Sequence, residues 1–354
     1  MMFQLSMFAI AAAAVGFGAS ASFAQPAKDP APDLKISGPF THEKLSIYLI
    51  HGPSVDGPIP LTLSEALAAK LFKVHETGNV QELSLENLGD EPVFLQAGDI
   101  VKGGQQDRVI TVSVLVPPKS GRLPVSAYCV EAHRWSARGN ESVRDFASSE
   151  KSMPSIRAKR AMMARPSPPA EPRDPGRRER TGRGEGQQEV WSSVAQVQAN
   201  LSASLGAPVA AAASASSLQL SLENKKLNDT KAAYVAALSP QDKDGADVIG
   251  FAFAINGQIN SADVYPSHGL LAKMWGKLID AAATEAISEA AASAAKPAPA
   301  SDAVLAFLAK AASAVPQEQK LDASNTRVVR QNEAAVVNET MAGGKVLHKS
   351  YVAF

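Results

Sequence analysis

Residues 93–135 read VFLQAGDIVKGGQQDRVITVSVLVPPKSGRLPVSAYCVEAHRW, and the rest of the chain is arranged around them. Val93, Phe94 and Leu95 form a short apolar run that stops at Ala97-Gly98. Ile100-Val101 resumes it, and Gly103-Gly104 stops it again. From Val109 to Val116 β-branched residues dominate and Pro117-Pro118 ends the run, which predicts a strand followed by a loop. Leu123 to Val130 predicts a second strand, with Pro124 suited to its start or to an edge. The expectation is a set of short antiparallel strands with a bulge or tight turn at Gly103-Gly104, where a side chain would not be tolerated.

Three pieces of this stretch, GDIVKGGQQDRVI (98–110), SVLVPP (113–118) and CVEAHRW (129–135), together resemble the ARG and rhodanese-phosphatase-superfamily-associated protein domain family. The second half is similar too, in Val190-Trp191 at a helix start, GFAFAINGQINSADVYPS (250–267) and a helix carrying Trp275. The resemblance covers roughly residues 34–290 outside the low-complexity insertions. It implies a domain extent, and it brings no established activity, substrate or cofactor.

The chain has 354 residues, room for one large domain or two ordinary ones. Lys plus Arg equal Asp plus Glu, 35 against 35, so no global field points to nucleic acid or to an acidic partner. At the N-terminus, Met7 to Phe17 has the length of a signal-peptide apolar core, and Ala19-Ser20-Ala21 and Ser22-Phe23-Ala24 offer small residues for cleavage after Ala21 or Ala24. No Lys or Arg precedes that core. The expectation is a signal peptide over 1–24, a tether over 25–33, and a periplasmic or secreted protein. Cys129 is the only cysteine, so it forms no intrachain disulfide. It is either buried in its strand or a thiolate beside His133 and Arg134.

Along the chain, Leu45 to Ile50 predicts a strand, and Thr62 or Ser64 can cap a short helix with Glu65 near its positive end. Phe72–His75 and Val80–Leu85 predict strands. These make a β-rich half over 34–143, of sandwich or barrel-like form. Between Arg144 and Gly186 eleven basic residues stand against six acidic ones, beside the Pro/Gly-rich PSPPAEPRDPGRRERTGRGEGQQ. This predicts a basic linker or insertion over 144–187. Contact with an anionic surface through Arg157–Arg183 is one use for it. No aromatic residue interrupts 147–190, so there is no stacking platform and no strong nucleic-acid signal.

An α+β second half over 188–290 follows. Val190, Trp191, Val194, Val197, Leu201 and Leu205 share one helical face. Asn256-Gly257 supplies the hairpin turn between 248–255 and 258–264. Ser267 opens a long helix, residues 291–300 form a linker, and 301–354 carries a helix and a closing pair of strands over 326–337 and 345–352. The fold class is α+β, a short-stranded β half packed against a helix-bearing half.

Two constellations could carry chemistry. Successive backbone N–H groups at Gly103-Gly104, followed by Gln106, Asp107 and Arg108, could cradle an anion; Asp107 and Arg108 could equally pair across the sheet. GGQQDR lacks the Lys and Ser/Thr of a nucleotide P-loop. Glu131, His133 and Trp135 alternate along an extended strand and would share a face, with Arg134 opposite. No third ligand beside Glu131 and His133 completes a metal set, and no motif points to a cofactor. The leading expectation is a non-enzymatic binding or interaction module of the cell envelope, whose partner is a protein or a small molecule. Its contact surface would run from Gly103–Arg108 to Glu131–Trp135. The rival is a hydrolase-like enzyme using Glu131, His133 or Cys129.

Overall fold

The computed structural model describes residues 33–163 apart from 137 and 140, then 183–289 and 296–354. The expected signal peptide, the tether up to residue 32 and most of the basic Pro/Gly-rich segment lie outside these residues.

The first third of the chain is almost all strand. β1 (Lys35–His42) and β2 (Leu45–His51) form a hairpin; β3 (Leu61–Thr62) leads into α1 (Leu63–Ala68); then come β4 (Phe72–Glu76) and β5 (Glu82–Asn87). Of the two candidate caps, Thr62 is the one that caps α1, its hydroxyl accepting from Glu65 N–H while Glu65 reaches back to the Thr62 N–H, and Ser64 lies inside the helix. The central stretch supplies β6 (Val93–Leu95), β7 (Asp99–Gly103), β8 (Arg108–Ile110), β9 (Val114–Val116) and β10 (Gly121–Cys129), and β11 (Phe146–Ser152) follows. Next are α2 (Ile156–Met163), α3 (Arg183–Leu205), α4 (Leu218–Leu222) and α5 (Lys225–Ala237). The hairpin β12 (Val248–Ile255) and β13 (Gln258–Val264) turns at Asn256-Gly257, and α6 (His268–Ser288) and α7 (Ser301–Ala312) come after it. Four strands close the chain, β14 (Gln317–Lys320), β15 (Asn325–Gln331), β16 (Ala335–Ala342) and β17 (Lys345–Ala353).

The fold is α+β, and its two halves are interleaved. An eight-stranded antiparallel sheet runs β1-β2-β12-β13-β17-β16-β15-β14, so the first hairpin pairs directly with the second half. A six-stranded sheet, β11-β7-β8-β10-β5-β4, and a three-stranded one, β3-β6-β9, close around their own core of Val74, Leu85, Leu95, Ile110, Val114 and Val125. One face of the large sheet (Leu45, Ile47, Leu49, Phe251, Phe253) packs against α3, α5 and α6. The other face (Tyr48, Ile50, Ala252, Val337) is covered by α7 through Val304 and Leu308.

Three expectations are corrected. The run 109–116 is two strands, because the chain crosses between sheets at Thr111–Ser113: β8 pairs with β7 and β10, and β9 pairs with β6. The strand expected over 326–337 is interrupted by a turn in which Asn332 Oδ1 accepts from the N–H groups of Ala334 and Ala335. The segment 144–163 is not linker. β11 pairs with β7, and α2 buries Ala158, Met162 and Met163, so apolar residues spaced among the arginines decide its structure. At the other end of the expected linker, residues 183–187 already belong to α3.

Candidate functional site

The Gly103–Arg108 corner and the Glu131–Trp135 segment do come together, as the two sides of a buried ionic cluster. Gly103 and Gly104 both have positive φ, +114° and +57°, which turns the chain sharply out of β7. A Cβ on Gly104 would stand 2.3 Å from Phe146 Cζ, so the ring packs where a side chain would begin. The turn points main-chain N–H groups at carboxylates, and these anions belong to the chain itself. Gly103 N–H donates to Asp107 Oδ1 (2.9 Å), and Asp107 N–H donates to Glu131 Oε2 (3.0 Å).

Asp107 and Glu131 are fully buried, and their counter-charges come from Arg134 and Arg138. Arg138 grips Asp107 with both terminal nitrogens, at 2.9 and 3.0 Å, and reaches Glu131 Oε1 at 3.3 Å and Glu141 at 3.0 Å. Burial works against the Arg138 charge, but these bonds outweigh it and raise the pKa above its ordinary value. Ser217 Oγ adds a hydrogen bond to Asp107 Oδ2 at 2.7 Å. Arg134 Nε lies 2.8 Å from Glu131 Oε1 but off the hydrogen-bond direction, so this contact is an ion pair; its terminal nitrogens donate to the main-chain oxygens of Gly103, Gly104 and Ser136.

Asp107 and Arg108 therefore do not pair with each other. Arg108 turns the opposite way, donating to both oxygens of Glu76 at 3.2 Å, to Gln106 Oε1 at 3.2 Å, and toward Cys129 Sγ. Gln106 Nε2 closes the loop on the main-chain oxygen of Glu131.

The extended-strand reading of 131–135 is also corrected. β10 ends at Cys129, and His133 is left-handed, with φ +66°. That reversal brings Arg134 back onto Glu131 instead of placing it on the opposite face. His133 is exposed, its ring 6.1 Å from Trp191, and Trp135 is 56% exposed. Cys129 is buried, and its thiol is pushed up to about 11 by burial, against the pull of Arg108. Among the described residues no hydrogen bond links Cys129, Glu131 and His133 as nucleophile, base and orienting acid. Among the described residues no three His, Cys, Asp or Glu side chains gather as a metal would need.

A second polar assembly was not legible in the sequence. Ser113 Oγ lies 3.0 Å from His348 Nδ1, and His348 Nε2 lies 3.1 Å from Asp263 Oδ1, all three buried. Ser113 Oγ also accepts the Ala97 N–H. Tyr265 stacks on the imidazole at 4.9 Å between centroids and donates to Gln96. Asp263, Gln96, Lys159 and Lys277 line a cavity of about 30 Å³, room for a water or two. Lys277 is held by Asp99 at 2.8 Å and also lines a neighbouring cleft of about 260 Å³, with Lys151, Lys273 and Asp280. At its edge Asp280 Oδ1 receives both Lys151 (2.9 Å) and the buried Lys231 (2.7 Å). Burial pulls the Lys231 pKa down to about 8 although Asp280 supports its charge. Ser113 lies 235 residues from His348, and His348 85 from Asp263, so no local spacing marks them.

Against known proteins, residues 33–352 match the model of the ARG and Rhodanese-Phosphatase-superfamily-associated Protein domain. The chain belongs to this family. The match takes in all three sheets, so the ARPP-1 domain is the whole interleaved unit and extends beyond the span of 34–290 read from the motifs. The ionic cluster and the Ser113–His348–Asp263 assembly both lie inside it. No curated protein and no solved structure matches the chain.

Proposed function

We propose that this ARPP-1 protein is an exported, non-enzymatic interaction module of the cell envelope, which contacts a protein partner through His133 and Trp135. The observation that carries the reading is the contrast within one segment. Asp107, Glu131, Arg134 and Arg138 are spent on one another in the interior, while Trp135 stands 56% exposed on the loop they fix. A large aromatic held on an ordered backbone is the kind of anchor on which binding energy concentrates, with little ordering cost left for association. Val143 adds a second exposed apolar side chain in the segment leading to β11. Cys129, Glu131, His133 and Trp135 line neither the cavity nor the cleft, which favours a protein surface over an enclosed small-molecule site. The hydrolase alternative has a protonated, buried thiol and an occupied carboxylate to work with, and draws no support from this geometry.

A photo-crosslinking residue placed at Trp135 or at His133 in the full chain, expressed in its own cells, tests the reading. A discrete cross-linked species at both positions, missing when the probe is at the exposed Val315, is the expected result. Cross-linking at Val315 alone, or at none, would count against it. Export is tested by fractionation and by mass spectrometry of the mature N-terminus, expected at Gln25 or Ser22. An intact Met1 would remove that part of the proposal.

A further inference from the structure

The cleft of about 260 Å³ lies between the start of α1, β11 and α6. Lys151 on β11 lines it, together with Lys273, Gly276, Lys277 and Asp280 on α6. Its volume is far above the roughly 30 Å³ that a water takes up in the liquid, so it has room for a small molecule. Positions 273, 277 and 280 recur at helical spacing, which sets two ammoniums and a carboxylate on one face of α6.

Gly276 stands among them, inside a helix of 21 residues, where glycine is a poor choice on propensity alone. The other glycine of α6, Gly269, has a packing reason, because a Cβ there would run into Ile59. Gly276 is exposed, and a Cβ on it would meet no described atom within 4 Å. The space a side chain would take at this position is the cleft itself.

The charges around the cleft are arranged to accept one more anion. Lys151 and the buried Lys231 share a single oxygen, Asp280 Oδ1, at 2.9 and 2.7 Å. Burial, with the Lys151 charge beside it, draws the Lys231 pKa down to about 8, and a further negative charge here would stabilise both ammoniums. Each lysine has three N–H donors. Hydrogen bonds among the described residues use two on Lys151, two on Lys273 and one on Lys277.

We infer that this cleft binds a small phosphomonoester, with its phosphate held by Lys151, Lys273 and Lys277. Ammonium groups are compact charges with rotatable donors, and three of them from two elements suit a group with three terminal oxygens and nearly two negative charges. Thr62 and Glu150, also on the wall, offer partners for hydroxyl groups on the ester's carbon part. The site is separate from the His133–Trp135 surface and would stand if that reading failed.

Thermal unfolding of the full chain in glycerol 3-phosphate, with glycerol as the uncharged control and ionic strength held constant by NaCl, tests the inference. The wild type should show a saturable rise in Tm with the phosphate ester and none with glycerol, as a ligand bound only by the folded state requires. Gly276→Gln should melt at or above wild type without ligand, since glutamine is the better helix former, and should lose the response because its side chain fills the cleft. Lys151→Gln leaves Lys231 paired with Asp280, so it should fold, and it should need at least ~10-fold more ester for the same rise. No saturable rise in the wild type, an equal rise with glycerol, a full response in Gly276→Gln, or a Gly276→Gln protein that melts below wild type would each overturn the site.

Discussion

At the scale of single residues, the ionic cluster is worth more through what its loss would leave behind than through what it contributes. Replacing Arg138 by Ala would strand Asp107 and Glu131 with Arg134 as their one remaining arginine. Breaking a buried pair from one side costs about 3–5 kcal/mol, so Arg138→Ala should lower the unfolding free energy by that order in urea titration. A loss under about 1 kcal/mol would place the cluster with weak surface pairs instead. The thiol gives a second check. With Cys129 raised to about 11, the folded protein at pH 8 holds it as the neutral thiol, and labelling by a maleimide should wait for unfolding. Fast labelling in the native state would revive the thiolate reading.

At the scale of elements, local chemistry was legible wherever one short signal decides the structure. Thr62 with Glu65 marked a capped helix, Asn256-Gly257 marked a hairpin, and Gly103-Gly104 marked a corner. What the last two glycines are for could not be read, because Phe146 arrives from a strand more than 40 residues on. Gly104→Ala should displace that ring, strain a backbone at φ +57° and loosen the β7–β11 edge. The expected result is a loss of about 1–3 kcal/mol, checked by thermal unfolding. A neutral substitution would mean the ring has room to move. The polar residues of 105–108 and 131–135 were legible as a group, but their pairing was not. It depends on the left-handed turn at His133 and on Arg138, which lies outside the segment that drew attention. The linker expected over 144–187 failed for a related reason. Charge and proline dominate its composition, while the few residues that pack, Phe146, Met162 and Met163, decide where its first part goes.

At the scale of the whole molecule, the sheets are joined by contacts that span the chain. The Ser113–His348–Asp263 assembly ties the segment between β8 and β9 to β17 and β13. Burial works to raise the Asp263 carboxyl, but the hydrogen bond and charge of His348, with Lys159 and Ser350, outweigh it and hold the group below its ordinary 3.8. A depressed carboxyl contributes stability that is present above 3.8 and lost as pH falls through the lower folded-state value. Asp263→Asn should therefore flatten the fall in stability below about pH 4, measured as urea midpoints against pH. An unchanged slope would mean other carboxylates dominate acid unfolding.

The account rests most heavily on the claim that buried ion pairs hold the loop displaying His133 and Trp135 in one conformation. Amide hydrogen exchange over 131–141, in the wild type and in Arg138→Ala under conditions where both remain folded, tests it most directly. The prediction is slow exchange in the wild type and fast exchange in the variant, confined to this loop and its Gly103–Asp107 neighbour. Exchange in the wild-type loop at the rate of an unstructured peptide would contradict it, and Trp135 would then be an exposed side chain on a mobile segment with no claim to be an anchor.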